Sequence, residues 1–208
     1  MRFDHFNLIA RWYDRLIRPA EDGRLAALLA AEPGQMVLDV GGGTGRYARM
    51  LADSGARVII CDASMGMARQ AQAKGLSVVL CDVTSLPFAD GSADRVLVVD
   101  AFHHFVAPSP ELAQPAAAHE LLRALAPGGR MVVEEPDVTH RSVKLIVWME
   151  RLLLMGSRFL TPRQLAVLFQ AAGAQRVDVH FDGANAQLVI ERQAIKGNTP
   201  RADDDDRR

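Results

Sequence analysis

The chain has 208 residues, 49% of them hydrophobic, with 24 basic and 25 acidic residues for a formal net charge of -1. That length and apolar content predict one domain with one sizeable core. The balanced charge excludes an overall basic field of the kind that recruits nucleic acid or an anionic membrane, although a local basic patch stays open.

The first segment, "MRFDHFNLIARWYD", gathers Phe3, Phe6, Trp12 and Tyr13 ahead of any strand, and Asp4, Arg11 and Asp14 interrupt what a secretory leader would need. Phe6, Ile9, Tyr13, Leu16 and Ile17 fall on one face of a helix within residues 1–18. Such a helix either closes over a cleft as a lid or packs permanently on the core.

Strand and helix signals then alternate. Met36 to Val40 reads as a buried strand, Arg46 to Ser54 as a helix, Arg57 to Cys61 as a strand, Ser64 to Lys74 as a helix and Leu76 to Leu80 as a third strand. "TSLPFADGSAD" is a loop, "RVLVV" a fourth strand, Glu111 to Ala126 a helix stopped by Pro127-Gly128-Gly129, and "RMVVEE" a fifth strand. Strands without polar alternation, separated by helices, predict a parallel sheet covered on both faces. Cys61 and Cys81, each directly before an aspartate, read as small buried residues in a reducing compartment, so the expected location is cytoplasmic.

Beyond the fifth strand, the apolar run Val143 to Leu160 is broken by Glu150 and Arg151 and is too short to span a bilayer, so no stable membrane insertion is expected. Thr161-Pro162 with Gln164 predicts a capped helix start, and the helix ends at Gly173. "QRVDVHF" and "AQLVIER", joined by "DGAN", predict an antiparallel hairpin. The fold expected is α/β, a Rossmann-like doubly wound seven-stranded sheet, mostly parallel, within residues 1–195. The polar stretch 196–208, with its acidic run, reads as a disordered tail.

The stretch "VLDVGGGTG" places Gly41, Gly42, Gly43 and Gly45 where the first strand gives way to a helix. A ligand close to the backbone explains that concentration, because side chains there would fill its volume. Gly43-x-Gly45-x-x-Ala48, with Asp62 about 20 residues on, fits a dinucleotide fingerprint. From Asp39, however, the pattern D-x-G-x-G-x-G resembles motif I of the class I S-adenosylmethionine-dependent methyltransferases. In that resemblance Asp39 lies near the methionine amino group and Asp62 holds both ribose hydroxyls. Asp82 with the Val83 backbone takes the adenine. The same resemblance brings Tyr13, Ala63, Met67 and Asp100 to the cofactor, S-adenosylmethionine, and "LRALAPGGRMVVEEP" is similar to the family's turn into a late strand.

"FNLIARWYD", "DASMGMARQA", "DVTSLPFADGSAD" and "DAFHHF" resemble most the small-molecule branch that includes ubiquinone and menaquinone biosynthesis methyltransferases. Gly42-Gly43 departs from the residues common there. The Asn-Pro-Pro-Tyr signature of nucleic-acid N-methyltransferases is missing, since the place reads Asp100-Ala101-Phe102-His103. The resemblance therefore implies a small, apolar or aromatic acceptor and no nucleic-acid partner.

Methyl transfer from a sulfonium asks chiefly for alignment and a water-poor site. Where the acceptor must lose a proton, His103 or His104 is the expected base, titrating near the ordinary imidazole value, with Glu135 or Asp137 as substitutes. No metal is expected. Trp148, Met149, Met155 and Phe159, in the 141–160 insertion, are placed to line an acceptor pocket, or else to pack on the sheet or on a second subunit in a homodimer. Two other readings stay open: an NAD(P)-binding oxidoreductase, and a non-catalytic cofactor-binding protein of the same fold.

Overall fold

The computed structural model describes residues 5–16, 23–152 and 156–194. Phe3, Ile17, Met155 and the tail from Lys196 lie outside them. The elements run α1 (His5–Leu16), α2 (Gly23–Leu29), β1 (Met36–Val40), α3 (Arg46–Asp53), β2 (Arg57–Asp62), α4 (Met65–Ala73) and β3 (Ser77–Leu80). They continue through β4 (Ala93–Val99), α5 (Pro110–Ala124), β5 (Leu125–Pro136), α6 (Val143–Leu152), α7 (Pro162–Ala171), β6 (Arg176–Asp182) and β7 (Asn185–Glu191).

The seven strands form one sheet in the order β3-β2-β1-β4-β5-β7-β6, with β7 antiparallel to both β5 and β6. Alternation along each strand feeds two cores. Leu38, Val96, Val98, Met131 and Val133 face α5 and α7 and pack with Leu121, Leu165 and Phe169. Val37, Leu97 and Val132 face the other way, against Leu25, Leu29 and Leu51 of α2 and α3. Each such side chain fully buried contributes about 1.5–3 kcal/mol, so apolar runs rather than alternating ones are what this covered sheet requires.

The hairpin forms as expected, with Asp182 paired to Asn185 and Gly183 at φ 57° in the two-residue loop. The Thr161 hydroxyl accepts from the Gln164 backbone amide at 3.2 Å, and the Gln164 side chain accepts from the Thr161 amide at 2.9 Å, completing the predicted cap. Several boundaries differ, β4 beginning at Ala93 and β5 at Leu125 where Arg95 and Arg130 were expected. α5 stops at Ala124, two residues early, because Leu125 turns extended and pairs with Ala93 before the register shifts toward Arg130. Helices α2 and α6 lie in stretches not assigned from sequence. Among the described residues no helix is long and apolar enough to cross a membrane.

The strand order reverses between β1 and β4. Connections from these two strands leave in opposite directions and open a crevice at their carboxyl ends, the place where open α/β sheets bind ligands.

Candidate active site

That crevice is a cavity of about 390 Å³. Of the residues expected around a cofactor, Tyr13, Gly41, Gly43, Asp62, Ala63, Met67, Asp82, Val83 and Asp100 line it, together with His104. Asp39, Gly42, Gly45 and His103 stand behind the wall.

The glycines divide by what a side chain would meet. At Gly42 a Cβ would sit 2.4 Å from Asp39 Oδ2, at Gly41 2.4 Å from Ala101 Cβ, and at Gly45 2.3 Å from Leu76 Cδ1. Close packing within the protein excludes side chains there. Gly43 alone has room, its nearest neighbour being Met67 Sδ at 3.9 Å, and it takes φ 56°. A side chain at Gly43 would project into cavity space and would also strain the backbone, more so if β-branched.

Asp62 ends β2 and accepts from the Gly43 amide at 2.9 Å and the Ser64 amide at 2.8 Å, so it braces the turn as well as facing the cavity. Asp82 accepts from the Thr84 amide at 2.8 Å and hydroxyl at 2.7 Å, which fixes the short turn carrying Val83. Asp39 is fully buried and its Oδ2 has no hydrogen-bond partner. Burial, reinforced by the Asp62 charge, pushes its carboxyl up to about 7. Asp100, at φ 50°, is pushed up to about 6 by burial and by Glu135. An orphaned buried carboxylate oxygen, an open glycine and three strand-end carboxylates fit a ligand with an ammonium or sulfonium charge and ribose hydroxyls.

The two histidines, adjacent in sequence, face different surroundings. His103 Nδ1 lies 2.5 Å from Glu135 Oε2, its Nε2 3.6 Å from Glu150 Oε1, and Phe159 stacks on its ring at 4.3 Å. Burial opposes its charge, but Glu135 and Glu150 outweigh burial and push it up to about 10, so His103 is an imidazolium. His104 lines the cavity, pairs through Nδ1 with Ser157 Oγ at 3.0 Å and meets Phe6 edge-on at 4.8 Å. Burial and the His103 charge push it down to about 3. The single imidazole titration near 6.5 expected from sequence is therefore replaced by one ring held charged and one held neutral.

Glu135 also accepts from the Phe102 amide at 2.7 Å, and Asp137 is engaged by Thr139 at 2.7 Å; neither lines the cavity. Trp148 and Met149 are exposed on α6 instead of lining a pocket. His103, His104 and Glu150 bring ligating atoms within 4.8 Å of one another, and Glu150 there pairs with His103 Nε2 at 3.6 Å.

Helix α1 lies across the cavity, contributing Phe6 and Tyr13. Its Asp14 accepts from the Thr44 hydroxyl at 2.5 Å and pairs with Lys74 at 2.6 Å. Against α4 the backbones nearly touch: a Cβ on Gly66 would stand 2.8 Å from Asn7 Cα. Gly66→Val is therefore expected to lift α1, since overpacking of this kind costs about 1–3 kcal/mol. Hydrogen exchange should show protection lost over residues 5–16 with the sheet unchanged; retained protection would mean α1 is held by other contacts.

Residues 38–133 match the family described as "Methyltransferase domain". The demethylmenaquinone methyltransferase of Beutenbergia cavernae is 39% identical over 137 residues, covering 64% of this chain and 53% of that protein. Residues 38–133 therefore form a methyltransferase domain of the class I S-adenosylmethionine-dependent kind. It spans about half the length of the demethylmenaquinone methyltransferase it matches. A probable tRNA methyltransferase 9B of Bos taurus is 31% identical over 102 residues, 49% of this chain and 21% of that one. Among solved structures, the methyltransferase fold recurs in a complex of the Haloferax volcanii Trm112 activator with a putative methyltransferase. That likeness has a TM-score of 0.75 at 21% identity and covers 93% of this chain and 100% of the other. The cofactor of this methyltransferase family, S-adenosylmethionine, is the ligand that the turn and carboxylates fit.

Proposed function

We propose that this methyltransferase moves a methyl group from S-adenosylmethionine to a small apolar or aromatic acceptor, with a quinone-type ring as the acceptor class. The observation that carries the reading is one cavity whose lining joins Gly43, Asp62 and Asp82 with Phe6, Phe105, Val106 and neutral His104. Relatives named for demethylmenaquinone methylation support the ring. The likeness to a tRNA methyltransferase covers only about half of this chain, and the near-neutral charge gives no basic track for RNA.

Bound in the cavity, the cofactor supplies a methyl carbon made electrophilic by its positive sulfur. Asp62 would hold the hydroxyl-bearing part, Asp39 would supply negative charge to the ammonium end from behind the glycine turn, Asp82 and Val83 would hold the ring, and Tyr13 with Phe6 would exclude water. His104, neutral above about pH 4, is a weak base and serves as an uncharged hydrogen-bonding group that positions the acceptor. His103 acts through its neighbour: its fixed positive charge keeps His104 unprotonated.

Titration calorimetry tests the cofactor site. S-adenosylhomocysteine should bind and NADH should not. Asp62→Ala should weaken binding tenfold or more, because each charge-assisted hydrogen bond contributes about 1.5–3 kcal/mol. Incubation with S-adenosylmethionine and a naphthoquinol bearing an unsubstituted ring carbon should give a singly methylated product by mass spectrometry. Heat with NADH alone would overturn the reading.

A further inference from the structure

Helix α6 leaves one face uncovered. Leu145, Trp148, Met149 and Leu152 recur at i, i+3, i+4 and i+7, a single stripe, and are 62%, 60%, 49% and 67% exposed. The opposite face is anchored, with Val143 buried and Glu150 reaching His103 Nε2 at 3.6 Å. The stripe therefore points away from the core because the inner face is already engaged.

The segment that carries it is mostly basic in sequence. Residues 138–158 contain Arg141, Lys144, Arg151 and Arg158 against one acid, Glu150, and that acid is the inward-turned one. Arg141 and Lys144 are exposed beside the stripe, whereas Arg158 pairs with Glu111 at 3.3 Å. The rest of the chain is accordingly net acidic. A basic rim on an apolar, tryptophan-bearing helix matches the chemistry of an anionic lipid surface.

We propose that α6 is a docking surface for a membrane interface rich in anionic phospholipid. Its ten residues extend about 15 Å, half of the roughly 30 Å hydrocarbon core, so the helix lies flat at the headgroup boundary. Trp148 and the three aliphatic side chains enter that boundary, and Arg141 and Lys144 meet phosphates. A protein partner fits less well: a stable interface draws on about 20–30 residues a side, and this stripe supplies four. Docking also has a consequence for access. Glu150 of α6 and Phe159 just beyond it both touch His103, next to His104 of the cavity, so the docked helix brings the cavity beside the bilayer.

Vesicle co-sedimentation with the full chain tests this. Vesicles of equal parts phosphatidylcholine and phosphatidylglycerol should pull down the protein, high salt should weaken the binding, and phosphatidylcholine alone should retain little. The double variant Leu145→Glu, Trp148→Glu should bind at least tenfold more weakly, with its thermal melt and its affinity for S-adenosylhomocysteine unchanged. No binding to the mixed vesicles, equal binding to phosphatidylcholine alone, or equal binding by the variant would overturn the proposal. So would a dimer in sedimentation velocity that the double variant converts to monomer, since the stripe would then be covered by a second copy.

Discussion

Asp39→Asn is expected to stabilise the ligand-free protein at pH 8 while removing most of its cofactor affinity. In the folded chain the Asp39 carboxyl is pushed up to about 7, first by burial and then by the Asp62 charge, from an ordinary value of 3.8. Between those values the folded state binds more protons than the unfolded one, so stability falls as pH rises through the window and levels off above 7. The full difference is about 4 kcal/mol at 1.36 kcal/mol per pH unit. Asparagine removes the charge yet keeps an oxygen for the Ala48 amide that bonds the carboxylate. Melts of the two proteins should differ by several degrees at pH 8, at about 2–4 °C per kcal/mol for a chain of this size, and converge toward pH 4. Binding should move the other way. Wild-type affinity for S-adenosylmethionine should rise from pH 5.5 to 8 as Asp39 and Asp100 ionise, whereas Asp39→Asn should bind at least tenfold more weakly with a shallower profile. Equal melting temperatures at pH 8 would mean that the buried carboxylate is not the strained group this argument requires.

Much of the sheet was legible because its strands are continuous apolar runs, the pattern a covered parallel sheet imposes. Helix α2 was not, since "GRLAALL" is only seven residues long, opens on glycine and has no acidic residue in its first turn. Helix α6 left two alternatives open by residue type, since Trp148 and Met149 suit a pocket lining or a packing face; that they face outward is decided by Val143 and Glu150 anchoring the other side.

The glycine run announced a close approach without saying of what to what. Leu76 and Ile60, distant in sequence, are what exclude a side chain at Gly45, and of the four glycines only Gly43 has room for a side chain. Local sequence also set Glu135 and His103 as rival bases. Lying 32 residues apart, they form one buried pair, and their neighbour His104 is the group left facing the cavity. Glu150, which marked the apolar run as unable to span a bilayer, is the second partner of that same imidazolium.

The second large effect is expected at that pair. Glu135→Ala leaves His103 without its 2.5 Å partner and the Phe102 amide without its 2.7 Å acceptor, both in a buried setting. Removing one member of a buried ion pair costs about 3–5 kcal/mol, so urea unfolding at pH 7 should show a loss of that order. Glu135→Gln, which keeps an acceptor for Phe102, should lose less. The sign of the pH dependence follows from His103. Its folded value of about 10 lies above the ordinary 6.5, so the stabilisation is fully present below 6.5 and disappears as pH rises through 10. The gap between wild type and Glu135→Ala should therefore narrow across that interval. A second readout separates this from simple loss of packing. His104 is held down to about 3 by burial and by the His103 charge, so weakening that charge should move the His104 titration upward, toward 6.5, in an NMR experiment on the ring protons. A stability loss below about 1 kcal/mol, or a His104 titration that stays where it is, would mean that His103 is neutral in the folded protein and that the charged-and-neutral division of the two rings does not hold.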